Sequence, residues 1–331
     1  MKISAFALAS ALALGPSYAF TGITFDTRFK GITVLNALAN PASHGRSTGG
    51  RSEDEIRAEL NSGKVLEGGK IIDFASVKGP SRAESALASA KNDIMERTEK
   101  YVPSTSVGIL GINEEVIAEV GHTLGAFASP SDIQACAVYI RSMAPSGLFQ
   151  KRPNDISSDV QARSPEDIER FESILRQAFY ESGEVTSAFA KTFYMGTQLL
   201  PQARREAIWA VYVWCRRTDE IVDAPRDNDD DMLLDLASWE IRLENLWKYG
   251  DVEDVFDLCL LDVLVKYPTL PITPFMDMIR GMLMDVPILG QDRYETFDEL
   301  HLYCYRVAGT VGLMSLPIFG CGAGFDEEIS R

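Results

Sequence analysis

The chain, 331 residues long, is poor in the residues on which many enzyme classes depend. It has three histidines, His44, His122 and His301, far apart and without a spacing such as HExxH, so a zinc site or a Ser-His-Asp site has little support. Its five cysteines, Cys136, Cys215, Cys259, Cys304 and Cys321, contain no CxxC pair. That gives no sign of a zinc ribbon or a disulfide framework and leaves small buried hydrophobes. Basic charge is scarce: 32 Lys and Arg against 48 Asp and Glu give a net charge of −16, the wrong sign for a nucleic-acid surface. Strand-like alternation is scarce as well. The apolar run Ile3–Leu14 falls short of the ~20 residues that a membrane-spanning helix needs. What remains is an ordinary globular composition, 46% hydrophobic, patterned as an all-α protein.

The most informative stretch present is WAVYVWCRRTDEIVDAP, Trp209–Pro225. Trp209, Val211, Val213, Trp214, Ile221 and Val222 spread around the helical wheel, which predicts a helix buried on most sides. Arg216, Asp219 and Asp223 nevertheless share one face, at i, i+3 and i+7, with Tyr212 on the same stripe. Buried carboxylates need a partner or a metal. Two of them one turn apart suit Mg2+, which keeps waters and bridges to phosphates. A solvated acidic face is the other reading of the same spacing.

Further helices are expected over 83–100, 114–124 and 131–143. Ser164-Pro165-Glu166-Asp167 is a helix start, with a capping serine, proline in the first turn and early acids. That helix runs toward Ser182, with a break at Gly183 before a second stretch to Tyr194. Pro201 opens the Asp219/Asp223 helix and Pro225 ends it. Asp227–Asp231 reads as a solvated loop. Helical spacing returns over 239–247, 252–267 and 274–284, and again over 303–319. There Tyr305, Gly309 and Gly312 lie on one face. Two glycines inside a helix cost about 1 kcal/mol each against alanine, so something must come close to that backbone, either a neighbouring helix or a long apolar ligand.

Four blocks, in order, resemble the squalene/phytoene synthase family. CRRTDEIVD (Cys215–Asp223) resembles its first aspartate-rich motif and KTFYMG (Lys191–Gly196) its entry motif. GMLMD (Gly281–Asp285) resembles a mid-chain block and YCYRVAGTVGLMS (Tyr303–Ser315) the family signature. The resemblance covers about Glu166 to Arg331. It implies an isoprenoid synthase-type helical bundle that joins two geranylgeranyl diphosphates head to head, through prephytoene diphosphate, to phytoene in carotenoid biosynthesis. It also implies Mg2+ (or Mn2+) on Asp219 and Asp223, with Arg216 and Tyr303 catalytic beside them. Lys191, Phe193, Tyr194, Tyr212, Arg217, Val307 and Gly309 are implied to contact substrate. Among these, Phe193, Tyr194, Tyr212 and Tyr303 are candidates for the dry aromatic lining that a carbocation requires.

A squalene synthase, with a shorter substrate and NADPH, is the nearest rival; the RRTDEIVD and VAGTVG forms favour the phytoene branch. The family's second DxxxD is expected after CGAGFDEEIS (Cys321–Ser330) and does not occur before Arg331. The resemblance therefore implies a domain lacking its C-terminal part, with little activity alone, and a non-catalytic assembly factor stays open as an alternative.

The N-terminus reads as an address. Residues 1–19 have the layout of a secretory signal peptide, and 20–52 are basic, hydroxylated and nearly free of acids, as transit peptides are. The tandem resembles the bipartite presequence of algae with complex plastids, which implies the plastid stroma or the periphery of a plastid membrane. Residues 53–150 are expected to form a helical extension, either packed on the synthase part or docking a partner. Residues 151–165 read as a linker and 166–331 as the partial synthase domain. Nothing in the sequence sets an oligomeric state.

Overall fold

A computed structural model describes residues 65–67, 70–72, 82–102, 120, 124–152, 164–223, 229–286, 294 and 296–320. Ten helices are formed by these residues, together with one short hairpin. The hairpin pairs β1 (Val65–Glu67) with β2 (Lys70–Ile72) in antiparallel register, Val65 opposite Ile72 and Glu67 opposite Lys70. Gly68 and Gly69 stand between the strands in sequence, the composition that a two-residue hairpin loop favours. Helical character was expected here, so the hairpin is a correction. The expected presequence and the expected helix around 114–124 fall wholly or almost wholly outside the described residues.

The helices are α1 (Arg82–Glu96), α2 (Pro130–Ser142), α3 (Pro165–Phe189), α4 (Lys191–Thr197) and α5 (Gln202–Asp223), then α6 (Asp229–Tyr249), α7 (Val255–Lys266), α8 (Thr273–Leu283), α9 (Phe297–Cys304) and α10 (Thr310–Phe319). A π-helical turn, Tyr305–Gly309, joins α9 to α10. Caps explain several starts. Ser164 accepts from the Asp167 amide while the Asp167 carboxylate accepts from the Ser164 amide, and Pro165 opens α3. Ser129 and Asp132 do the same for α2, and Thr296 and Glu299 for α9.

α3 does not break at Gly183. A Cβ there would stand 2.8 Å from Cζ3 of Trp209, so the glycine makes room for α5 to pack on α3. The chain turns instead at Ala190 (φ −141°, ψ 62°). α6 begins at Asp229, inside the acidic run expected to be a loop. Acidic residues suit a helix N-terminus, because its free amides carry partial positive charge.

α5 and α7 are the inner helices. α5 packs on α3, α6, α7, α8 and α10, and α7 on α2, α3 and α5. Ten successive residues of α7, Val255–Leu264, are buried. Residues 82–152 and 164–320 belong to one compact unit, and α1 and α2 pack on the helices that follow. The stretch read as a linker therefore does not divide two folds. Of the cysteines, Cys136, Cys215 and Cys259 are buried and outside any disulfide, as expected; Cys304 is half-buried and likewise a thiol.

Candidate active site

α5 carries the centre of the site near its C-terminal end. Asp219 is 3% exposed, whereas Asp223, one turn further at the end of the helix, is exposed. The expected inward pair is thus one buried and one exposed carboxylate. Arg216 Nη1 lies 3.5 Å from Asp219 Oδ2, a contact too long to satisfy the oxygen, which is buried without a hydrogen-bond partner. Burial pushes the Asp219 carboxyl up to about 7. Asp223, Glu220 and Asp285 push in the same direction, and Arg216 opposes them. A carboxylate kept in so unfavourable a place is a ready ligand for a cation.

Arg216 is bound to Glu220 by a short ion pair, and its guanidinium lies 4.8 Å from the Phe189 ring centroid. Tyr212, one turn before Arg216, is fully buried and stacks on Phe193 of α4 at 5.6 Å. Burial, with a smaller contribution from Asp219, drives the Tyr212 hydroxyl well above its ordinary pKa. Phe189, Phe193 and Tyr212 thus form an aromatic wall beside Arg216 and Asp219.

The opposite contribution comes from the loop after α8 and from α9. Tyr303 donates a hydrogen bond of 2.9 Å to Asp285 Oδ2, and the Tyr294 ring lies tilted against its ring, centroids 5.1 Å apart. The Tyr303 hydroxyl is held far above its ordinary pKa by burial first, then by Asp285, with a smaller push from Asp219. Asp285 therefore acts electrostatically on both Asp219 and Tyr303. It was absent from the expected site residues, although the GMLMD block that ends on it was noted. Its signal was an acid directly after the apolar run Gly281–Met284.

Other expected residues lie elsewhere. Arg217 is fully buried on another side of α5, where its Nη2 donates to Asp254 at 2.6 Å and its Nη1 lies 3.4 Å from Asp257. Arg242 of α6 reaches the same two aspartates, and both guanidiniums lie over the Trp239 ring, at 4.6 and 5.2 Å. Burial disfavours charge on Asp254, yet Arg217 and Arg242 outweigh it and hold that carboxyl at about 2. Arg217 is engaged in this network and is not placed to meet a phosphate, which corrects the expectation.

Tyr194 stacks on Trp209 at 5.5 Å, ten residues and about 15 Å along α5 from Asp219. Val307 is buried against α8, its Cγ1 2.9 Å from where a Cβ on Gly281 would stand, so it packs helix on helix. Lys191 is exposed at the start of α4. Gly309 faces only its own neighbour Tyr305, and a Cβ on Gly312 would meet nothing within 4 Å. The tight helix packing in this region is made through Gly281 rather than through these two glycines, which leaves open space beside Gly312.

Among the described residues, no three His, Cys, Asp or Glu side chains close on one point as a complete metal cage. A buried, unpartnered oxygen on Asp219, with Asp223 one turn away and Asp285 felt across the site, still fits a hard divalent ion that takes its other ligands from water and phosphate.

An all-α fold with buried and exposed acids at the end of an aromatic-lined helix has a recognisable counterpart. Residues 186–328 match the squalene/phytoene synthase family, and this part of the chain belongs to it. Similar proteins include phytoene synthase 1, chloroplastic, of Arabidopsis thaliana, 43% identical over 254 residues, which is 76% of this chain and 57% of that protein. The 15-cis-phytoene synthase of Synechococcus elongatus is 54% identical over 146 residues, 44% of this chain and 46% of its own length. The phytoene synthase of Arthrospira platensis is 56% identical over 137 residues, 41% and 42% of the two chains. The chain spans about half the length of the curated relatives it matches. A match of 254 residues does not fit within 166–331, so the similarity reaches into the region read as an extension.

Proposed function

We propose that the chain is a prenyltransferase that condenses two geranylgeranyl diphosphates head to head, through prephytoene diphosphate, to phytoene in carotenoid biosynthesis. The observation that carries this reading is Asp219: a carboxylate buried without a satisfying partner, beside an arginine and an aromatic wall, in a segment similar to proteins named phytoene synthase. Asp219, with Asp223 and Asp285, would hold Mg2+ (or Mn2+), which would supply neutralisation of the charge on a diphosphate leaving group.

The chain's own residues do the rest. Arg216, paired with Glu220 and Asp219, is placed to turn its guanidinium to phosphate oxygens. Phe189, Phe193 and Tyr212 present ring faces that stabilise an allylic cation and keep water from it. Tyr303, its hydroxyl donated to Asp285, holds its proton at any physiological pH.

The relatives named chloroplastic support a plastid location for this protein, in the stroma or at the periphery of a membrane, where so hydrophobic a substrate and product reside. Binding of radiolabelled geranylgeranyl diphosphate to the full chain, with and without Mg2+, tests the proposal. Binding that requires Mg2+ and is lost in Asp219→Asn supports it, as does phytoene formed without NADPH. No binding at millimolar Mg2+, or a product that needs NADPH and fifteen-carbon substrate, overturns it.

A further inference from the structure

α1 precedes the family-matched segment, yet it reaches the site's second wall. Ala83, Leu87, Ala90 and Ile94 recur at 4-3-4 spacing and pack this helix into the core, against α6 and α8. At the N-terminal end of α1, Glu84 Oε1 accepts a hydrogen bond of 2.6 Å from Arg306 Nη2. At the far end, Lys91 pairs with Glu240 at 3.1 Å and with Glu244 at 2.8 Å.

Arg306 occupies a crowded junction. It lies in the π-helical turn, one residue after Tyr305 and three after Tyr303. Its Cβ and backbone carbon would stand 2.9 and 3.2 Å from a Cβ on Gly281, and its Nη1 approaches Met284 Sδ at 3.8 Å, the residue before Asp285. Its side chain is 16% exposed, and among the described residues Glu84 is the one carboxylate paired with it. A largely buried guanidinium is held where its counter-charge sits. That counter-charge comes from α1.

We infer that Glu84 is a positioning residue: through Arg306 it fixes the π-helical turn, and so the placement of Tyr303 against Asp285. α1 is then a working part of the catalytic unit and not an appendage to it. The link to catalysis rests on the function proposed above; the coupling of α1 to the turn stands without it.

Amide hydrogen exchange on the full chain, read by mass spectrometry, tests the coupling. Glu84→Gln is expected to speed exchange over 303–309 roughly tenfold, because a partly buried ion pair is broken in a locally opening segment. Lys91→Met loosens the same helix at its other end and is expected to leave 303–309 at wild-type rates. The double variant Glu84→Arg with Arg306→Glu is expected to restore protection, which loss of helix stability alone does not explain. Unchanged exchange over 303–309 in Glu84→Gln, an equal rise in Lys91→Met, or no rescue by the swap overturns the inference. Mg2+-dependent geranylgeranyl diphosphate binding by the same variants is scored separately. If the wild type does not bind, the proposed function falls, while the exchange result still decides the coupling.

Discussion

Replacing Asp219 by asparagine should stabilise the metal-free protein, and by an amount that depends on pH. The carboxyl is raised from 3.8 to about 7, chiefly by burial. Three units at ~1.36 kcal/mol each amount to about 4 kcal/mol disfavouring the ionised side chain in the folded state. The sign follows from proton counts. Between about pH 4 and pH 7 the folded chain keeps a proton that the unfolded chain has released, so stability falls as pH rises through that window and is lowest above it. Asparagine resembles the protonated acid and carries no such penalty. At pH 8 Asp219→Asn should gain up to about 4 kcal/mol, and at pH 5 roughly two fifths of that. For a unit of this size the gain at pH 8 corresponds to a rise in Tm on the order of 10 °C. Thermal unfolding by circular dichroism, with EDTA, at pH 5 and pH 8 reads it directly. Excess Mg2+ should then raise the melting point of the wild type and leave the variant where it was. A variant that melts at or below wild type at pH 8, or gains equally at both pH values, would refute the claim that Asp219 is a strained internal ligand.

Three further outcomes follow from packing. Gly183→Ala should cost about 1–3 kcal/mol in urea unfolding, since the new methyl meets the Trp209 ring at 2.8 Å. Gly312→Ala should be neutral or stabilise by up to about 1 kcal/mol, since its side is open and alanine is the better helix former; if an isoprenoid lies there, diphosphate binding falls while stability does not. Arg217→Met should cost about 3–5 kcal/mol by leaving Asp254 and Asp257 short of a counter-charge, whereas Arg216→Met should weaken diphosphate binding with a much smaller loss of stability. Comparable losses of stability at both arginines would contradict their assignment to different tasks.

Elements with strong local signals were legible in the sequence. The capping box at Ser164, the apolar wheel of α5 and the proline punctuation each act within a few residues, and each appears where expected. The centre of the site was legible for the same reason: Arg216, Asp219 and Tyr212 share one helical face whatever surrounds it. What the sequence hid is set by distant partners. Nothing local distinguishes Arg216 from Arg217; their fates differ because Asp254 and Asp257 stand on one side of α5 and the Phe189–Phe193 wall on the other. Gly183 looked like a helix breaker because the ring that fills its space is 26 residues downstream. Asp285 gained its place only when α9 laid Tyr303 against it. The role of α1 was invisible for the most distant reason of all, an ion pair 222 residues apart.

The widened turn at Tyr305–Gly309 also sets how this region can change over time. A π-helical turn holds one residue more than the α-helical turn it replaces, so loss of a single codon within it would restore plain α-helix and leave α10 in its present phase. Met314 would stay against Cys215 of α5, and Ile318 in the interior. A codon lost from α10 itself has no widened turn to take it up and would rotate everything beyond it by about 100°, out of that packing. The turn is therefore expected to tolerate a change of length that the helix after it does not.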